Sequence, residues 1–359
     1  MPETIIRCGI IGCGNIAREI HIPGLQKAAG ALITAICDPD PARLERTRAE
    51  LGLDINAAFT DYTELLDSGL VDAVTIITPN HLHIAPAMAA AVRGIPFACE
   101  KPLSVDAPSA KPLVDLVNET GLKAMICYSY RFKKAARYAR DLISEGRIGK
   151  VRHIYVRYLQ SWGNPEKDVP RVWRFDRAMS GSGALADLGS HMLDLVRFLT
   201  GDEYTRFTAQ NGTLVPDRRS ADPAKNGARE SVDVDDYAHF FAQTAGGIAA
   251  SFEISRNAFG RGNFQHIEIY GDRGALIYEL EDDDILQICE GIDEGSHTFR
   301  TLEIPEKYRV SQMQCFIDRL RGEEYGLAAT VSDGYEGMLA LDEIIRSSVE
   351  GITVDHIRQ

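Results

Sequence analysis

The chain lacks any apolar run of the roughly 20 residues that a membrane-spanning helix needs, so no membrane association is expected. It also lacks a basic excess: 39 Lys and Arg stand against 52 Asp and Glu, a formal net charge of −13. Phosphate binding calls for a basic surface, which argues against a nucleic-acid partner. No C-x-x-C pair occurs among the seven cysteines, so the usual zinc and redox spacings are missing. Cys8, Cys13, Cys37, Cys99 and Cys127 lie in or beside apolar runs, where a free thiol behaves as a small hydrophobe. All seven read as structural, with no metal site. The opening residues 1–7 show no succession of charged, apolar and small residues of the kind that marks a signal segment, and a cytoplasmic location is expected.

What the chain does have is 359 residues, 45% of them apolar and 25% charged. That is too long for one ordinary core and too apolar for disorder. Apolar runs at 5–11, 32–37, 73–78, 96–99 and 124–128 alternate with helical candidates near 15–29, 40–51, 81–93 and 106–120. Near-continuous apolar strands separated by helices imply a parallel sheet covered on both faces, the doubly wound Rossmann arrangement of an α/β protein. From residue 151 the pattern changes to period-two alternation, at 151–158 and in parts of 232–243, 247–255, 264–270 and 275–280. Such alternation indicates an open, mainly antiparallel sheet in an α+β domain. The expected division is 1–128 for the doubly wound domain and 129–359 for the α+β domain. Residues 216–230 are polar and read as a mobile loop. Two final helices, 310–321 and 332–350, are expected to pack back on the first domain.

The first strand runs into Gly12-Cys13-Gly14-Asn15-Ile16-Ala17, a G-x-G-x-x-A loop opening a helix. Gly12 permits the tight turn, Gly14 lets backbone N–H groups approach a pyrophosphate, and Ala17 allows close helix–strand packing. The helix N-terminus, with Asn15 and Ile16, then receives the anion. At the end of the second strand, Asp38 is placed to accept hydrogen bonds from the adenosine ribose hydroxyls and to repel a 2′-phosphate. NAD is thus favoured over NADP. The other reading of Asp38 is a turn former before Pro39, and Arg43 and Arg46 on the next helix are the residues by which NADP would be accepted instead.

In the second half, 182–200 is an apolar helix whose Asp187, His191 and Asp194 share a polar face at spacings of four and three. A carboxylate one turn from an imidazole suits proton transfer; a chance pair on an exposed face is the plainer alternative. Two further stretches follow strands: Thr78-Pro79-Asn80-His81-Leu82-His83 and Cys99-Glu100-Lys101-Pro102-Leu103. Both fall at strand C-termini, where open α/β sheets bind ligands.

Together with Arg131-Phe132, Gly146-Arg147-Ile148-Gly149-Lys150 and Trp173-Arg174, these motifs resemble the Gfo/Idh/MocA oxidoreductases across nearly the whole chain. The resemblance implies Lys101 as the catalytic lysine, with a cis Lys101–Pro102 bond, and Asp187 and His191 as its catalytic partners. It implies Thr78, Pro79, Asn80, His83, Glu100 and Lys101 along the cofactor, with Trp173 and Arg174 near nicotinamide and substrate. It also implies a homodimer or homotetramer formed through the flat sheet face, which is expected to be apolar. The chemistry needs a hydride acceptor, a base and a positive group for a developing alkoxide. His191 is the expected base because an imidazole titrates near working pH, with Lys101 stabilising the alkoxide; in the alternative, Lys101 is itself the acid/base. Arg131, Gln160, Trp173 and Arg174 join Lys101, Asp187 and His191 as candidates for holding the hydroxyls of a sugar or polyol. The resulting expectation is an NAD-dependent dehydrogenase acting on a secondary alcohol of a sugar, inositol or related polyol. The competing expectations are a non-catalytic dinucleotide-binding regulator, and an oxidoreductase that retains its cofactor and cycles it between two sugars.

Overall fold

A computed structural model describes residues 5–291, 298–323 and 326–356; the opening residues 1–4, read above for a signal segment, lie outside the described residues. The chain divides into two compact units, Met1–Tyr128 with Val310–Tyr335 and Ser129–Arg309 with Glu336–Gln359.

The first unit alternates strand and helix: β1 (Ile6–Ile11), α1 (Ile22–Lys27), β2 (Ala31–Cys37), α2 (Pro41–Leu51), β3 (Ala58–Phe59), α3 (Tyr62–Asp67), β4 (Ala73–Ile76), α4 (Ile84–Val92), β5 (Phe97–Cys99), α5 (Ala107–Thr120) and β6 (Ala124–Ile126). The strands form one parallel sheet in the order β3-β2-β1-β4-β5-β6. Ile10, Ile36, Val74, Phe97 and Ile126 are buried in it, which is why its strands read as unbroken apolar runs. Strand order reverses between β1 and β4, and their C-terminal ends border the crevice in which such sheets bind ligands. The expected first helix is helical from residue 15, with Ala17–His21 wound as a π-turn that runs into α1 at Ile22.

The second unit comprises α6 (Lys134–Ser144), β7 (Val151–Leu159), α7 (Arg177–Ser180), α8 (Ser190–Thr200), β8 (Tyr204–Gly212), β9 (Asp217–Arg219), β10 (Arg229–Ser231), β11 (Tyr237–Thr244), β12 (Ala249–Ser255), β13 (Phe264–Gly271), β14 (Gly274–Leu280), β15 (Asp284–Glu290) and β16 (Arg300–Thr301). Further on, α9 (Gln312–Arg321) belongs to the first unit, α10 (Val331–Glu350) begins in the first and continues in the second, and β17 (Val354–Asp355) closes the second. In the first unit, the Ala29 amide donates to Gln314 Oε1 of α9 at 2.6 Å.

Nine strands form one sheet in the order β16-β15-β14-β13-β7-β12-β11-β8-β17. Its pairs are antiparallel except β7 with β12, which run parallel. Alternation along β7 buries Ile154, Val156 and Tyr158 and exposes His153, Tyr155 and Arg157. The open face differs from the apolar one expected. Arg157 pairs with Glu253 at 2.9 Å, and His266 lies 3.1 Å from Glu268 and 3.0 Å from Glu279; exposed aromatic area comes from Tyr155 and Phe241. Residues 217–231 also differ from expectation. They form the β9–β10 hairpin, in which Arg229 pairs with Asp217 and Lys225 with Glu230 at 2.5 Å. Three-residue strands of charged side chains carry too little periodicity to announce a hairpin.

The end of the described chain is fastened by His356. The Nδ1 atom lies 2.6 Å from Glu343 and Nε2 lies 3.2 Å from Glu336, both on α10, while the His356 amide donates to the Thr205 carbonyl at 2.8 Å. Burial opposes the imidazolium, but hydrogen bonds to Glu336 and Glu343 outweigh it and push the pKa up to about 9. Folding raises this pKa, so the contribution is complete below the unfolded value of about 6.5 and is lost as pH rises towards 9. His356→Ala is therefore expected to lower stability by on the order of 2–3 kcal/mol in mildly acidic buffer. Thermal unfolding midpoints of both proteins across pH check this, with the gap closing above about pH 9.

Candidate active site

In the first unit the glycine loop has the shape that a pyrophosphate needs. Gly12 has φ +97°, and a Cβ there would lie 2.6 Å from the Ile77 carbonyl oxygen, so only glycine fits. Beside Gly14 a Cβ would meet no atom within 4 Å, leaving open space over the loop. The Asp38 carboxylate, 3% exposed, accepts the Cys13 amide at 2.8 Å and the Asp40 amide at 2.9 Å. Each carboxylate oxygen keeps a second acceptor position, enough for ribose hydroxyls. Arg43 is engaged with the acidic pair, 3.1 Å from Asp40 and 3.7 Å from Asp38. At the end of β4 the Thr78 hydroxyl is buried without a hydrogen-bond partner. The open space at Gly14 and this orphaned hydroxyl fit a bound dinucleotide.

The loop after β5 is held from two sides. Glu100 Oε1 lies 2.8 Å from His21 Nε2, and Glu100 Oε2 accepts the Lys101 amide at 3.2 Å. The Lys101–Pro102 bond is cis. His83, 1% exposed, places Nδ1 2.8 Å from the Pro102 carbonyl and Nε2 2.8 Å from the Thr78 carbonyl. Both its nitrogens are thus committed to the main chain rather than turned to a cofactor. Burial pushes the His83 pKa below its usual value, against the pull of the two carbonyls. His21 is fully buried as Glu100's partner. Donor atoms of His21, Glu100 and Cys127 come within 4.8 Å of one another. The 2.8 Å His21–Glu100 separation is a hydrogen-bond length, shorter than the about 3.3 Å between two ligands of a tetrahedral zinc.

In the second unit, Asp187 and His191 sit where the helix is distorted. Leu185–Gly189 is a π-turn running into α8, a deformation common at functional positions. The start of this segment is capped by Asp235, which accepts the amides of Gly183 and Leu185, each at 2.7 Å, and the Ser182 hydroxyl. Asp187 lies 4.0 Å from Arg174, whose guanidinium stacks on Trp173 at 4.4 Å. The Trp173–Arg174 turn is in turn held by Arg256, which donates to the Arg174 carbonyl at 3.2 Å and is paired with fully buried Asp236 at 2.8 Å. The Arg256 guanidinium also lies over Phe175 at 4.5 Å.

His191 packs edge-on to Tyr130, ring centroids 4.6 Å apart. The Tyr130 and Tyr158 hydroxyls are 2.6 Å apart, Tyr158 donates to Asn263 Oδ1 at 2.7 Å, and Gln160 Nε2 donates to the same oxygen at 2.8 Å. Burial, followed by the neighbouring Tyr130, pushes the Tyr158 pKa well above its usual value, so its hydroxyl stays protonated. Tyr130, Tyr158 and Asn263 were missed from the sequence; the available signal was that Tyr158 and Gln160 are two apart and share a strand face.

Arg131 is placed differently from the sugar-binding role expected of it. It is 6% exposed and grips Asp194 through two contacts, Nε at 2.8 Å and Nη2 at 2.5 Å, with its guanidinium over Phe198. Asp194 accordingly leaves the Asp187–His191 face and serves the core. None of the seven cysteines is in a disulfide, and all but Cys289 are buried. Burial raises the Cys13 and Cys37 thiols to about 12, which suits packing rather than chemistry. Among the described residues, no helix is long and apolar enough to cross a membrane.

Comparison with known proteins matches residues 6–128 to the oxidoreductase family with an NAD-binding Rossmann fold, and residues 136–277 to the GFO/IDH/MocA C-terminal domain. Levoglucosan dehydrogenase of Pseudarthrobacter phenanthrenivorans is 31% identical over 82% of this chain and 83% of its own length. The chain belongs to the Gfo/Idh/MocA oxidoreductase family. Inositol 2-dehydrogenase of Rhizobium meliloti is 28% identical over 96% of this chain and 97% of its own length. A solved levoglucosan dehydrogenase bound to NADH and L-sorbose superposes with a TM-score of 0.89 at 28% identity, covering 98% of this chain and 99% of that one. As a member of this family, the chain is an NAD-binding oxidoreductase, with the Rossmann fold over residues 6–128.

Proposed function

We propose that this oxidoreductase oxidises a secondary alcohol of a cyclic sugar, anhydro-sugar or inositol to the ketone. The observation that carries the reading is the π-turn of the second unit. It sets Asp187 and His191 one helical turn apart, with Arg174 4.0 Å from Asp187 and the His191 ring packed on that of Tyr130, whose hydroxyl meets the Tyr158 hydroxyl. Bound nicotinamide supplies the hydride acceptor. His191 takes the hydroxyl proton on an imidazole nitrogen and passes it to water. Asp187 orients His191 or a neighbouring substrate hydroxyl, and the Lys101 ammonium stabilises the alkoxide as it forms. Trp173 offers an aromatic face to a sugar ring, and Gln160, its Nε2 held by Asn263 and Tyr158, offers its amide oxygen to a hydroxyl. The cyclic, hydroxyl-rich substrates named for the levoglucosan and inositol dehydrogenases agree with this class. Arg131 is left out of the substrate contacts because Asp194 occupies it. A homodimer or homotetramer through the open face of the nine-stranded sheet is part of the proposal, with Phe241 and Tyr155 as its apolar contacts.

The test is a screen of levoglucosan, inositols and aldoses with NAD and with NADP, following the absorbance of the reduced nicotinamide. Turnover with NAD on a cyclic polyol is expected, with NADP much poorer because its 2′-phosphate would meet Asp38 and Asp40. Asp38→Ala should narrow that preference. Equal turnover of the unaltered protein with NADP would refute the role of Asp38, and no turnover on any cyclic polyol would refute the substrate class.

A further inference from the structure

We infer that His21 and His83 are positioning residues that clamp the main chain on either side of Lys101. The inference rests on the assignment of Lys101 to the chemistry and stays within the first unit. Glu100, preceding Lys101, is held by His21 at 2.8 Å through one carboxylate oxygen and grips the Lys101 amide at 3.2 Å through the other. Pro102, following Lys101, is met at its carbonyl by His83 Nδ1 at 2.8 Å, and the far side of the same ring reaches the Thr78 carbonyl at 2.8 Å. The three-residue turn is thereby tied at one end to the π-turn Ala17–His21, which leaves the glycine loop, and at the other to the end of β4.

Two buried imidazoles are a costly way to fill space. An aliphatic side chain would occupy the same volume without desolvating a polar ring, and the rings sit 0% and 1% exposed. What they provide is directional contact to a backbone that carries a reactive side chain. Small displacements of such a group matter, since about 1 Å of misplacement can cost about 10²-fold in rate. A carbonyl only accepts, and a neutral imidazole carries one N–H; His83 therefore donates to Pro102 or to Thr78 at any moment, while its fixed ring keeps both within reach. For His21, the carboxylate partner fixes Nε2 as the donor.

The experiment compares His21→Leu and His83→Leu with His21→Gln and His83→Asn. The glutamine amide can replace Nε2 towards Glu100, and the asparagine amide can replace Nδ1 towards Pro102. Three quantities are read: kcat and KM, NADH affinity by fluorescence, and hydrogen exchange at the Lys101 amide. The leucine variants are expected to lower kcat by about 10- to 100-fold, leave NADH affinity nearly unchanged, and speed exchange at Lys101. The amide variants should recover most of the rate and the protection. If a leucine variant does not fold, His21→Asn, too short to reach Glu100, or His83→Gln, which retains only Thr78, takes its place. Leucine variants with unaltered kcat and exchange, or losses that the amides fail to restore, would overturn the clamp. Lys101→Met is run alongside: full activity in that variant would sink the assignment of Lys101 itself, whereas its loss beside unaffected histidine variants would sink only the clamp.

Discussion

Lys101→Met and His191→Ala are each expected to depress kcat by ~10²-fold or more while leaving NADH affinity largely unchanged. Cofactor binding and chemistry fall to different residues in the proposed mechanism. There the adenosine and pyrophosphate contacts are assigned to Asp38 and to the glycine loop around Gly12 and Gly14, which neither substitution alters. In that mechanism, what is lost is a charge for the alkoxide in one case and a proton acceptor in the other, interactions that matter most in the transition state. The two losses should not multiply in the double variant, because groups acting on one reaction coordinate are strongly non-additive. Steady-state kinetics beside fluorescence titration of NADH decide it. Loss of affinity equal to the loss of rate would move Lys101 from chemistry to cofactor binding.

Arg131→Met should leave the kinetics of the folded enzyme nearly intact and cost about 3–5 kcal/mol of stability. Asp194 is 2% exposed, and its carboxylate holds the Arg131 guanidinium at 2.5 and 2.8 Å. Removing the arginine strands a buried negative charge, which is worse than removing both partners. The double variant Arg131→Met with Asp194→Leu is accordingly expected to recover much of the loss. Thermal unfolding gives the stability, and KM for the substrate gives the control. A raised KM with an unaltered melting temperature would return Arg131 to the substrate site.

The fold was legible where packing leaves a periodic trace. The parallel sheet shows as unbroken apolar runs because both of its faces are covered, and the nine-stranded sheet shows as alternation because one face is open. Strand β8 escaped, since Arg206, Thr208 and Gln210 alternate against only one large apolar neighbour, Phe207, in mid-strand. The parallel β7–β12 pair was equally invisible, because alternation records burial and not direction. Among the candidate residues, the glycine loop, Asp38, Asp187 and His191 stand out by local spacing, and Lys101 through the motif that carries the family resemblance. Contacts made across the chain could not. His21 and Glu100 are 79 positions apart, and Arg131 and Asp194 are 63 apart. Asp194 fell on the polar stripe of its helix by spacing alone, whereas only the tertiary partner reveals that it serves the core.

The central claim is that this chain moves a hydride directly from a carbinol carbon to NAD. The most direct measurement uses the polyol returned by the substrate screen, deuterated at its carbinol carbons, with mass spectrometry of the reduced cofactor after turnover. The account predicts one deuterium in the reduced nicotinamide and a slower rate with the labelled alcohol. Turnover that leaves the reduced cofactor without deuterium would contradict it.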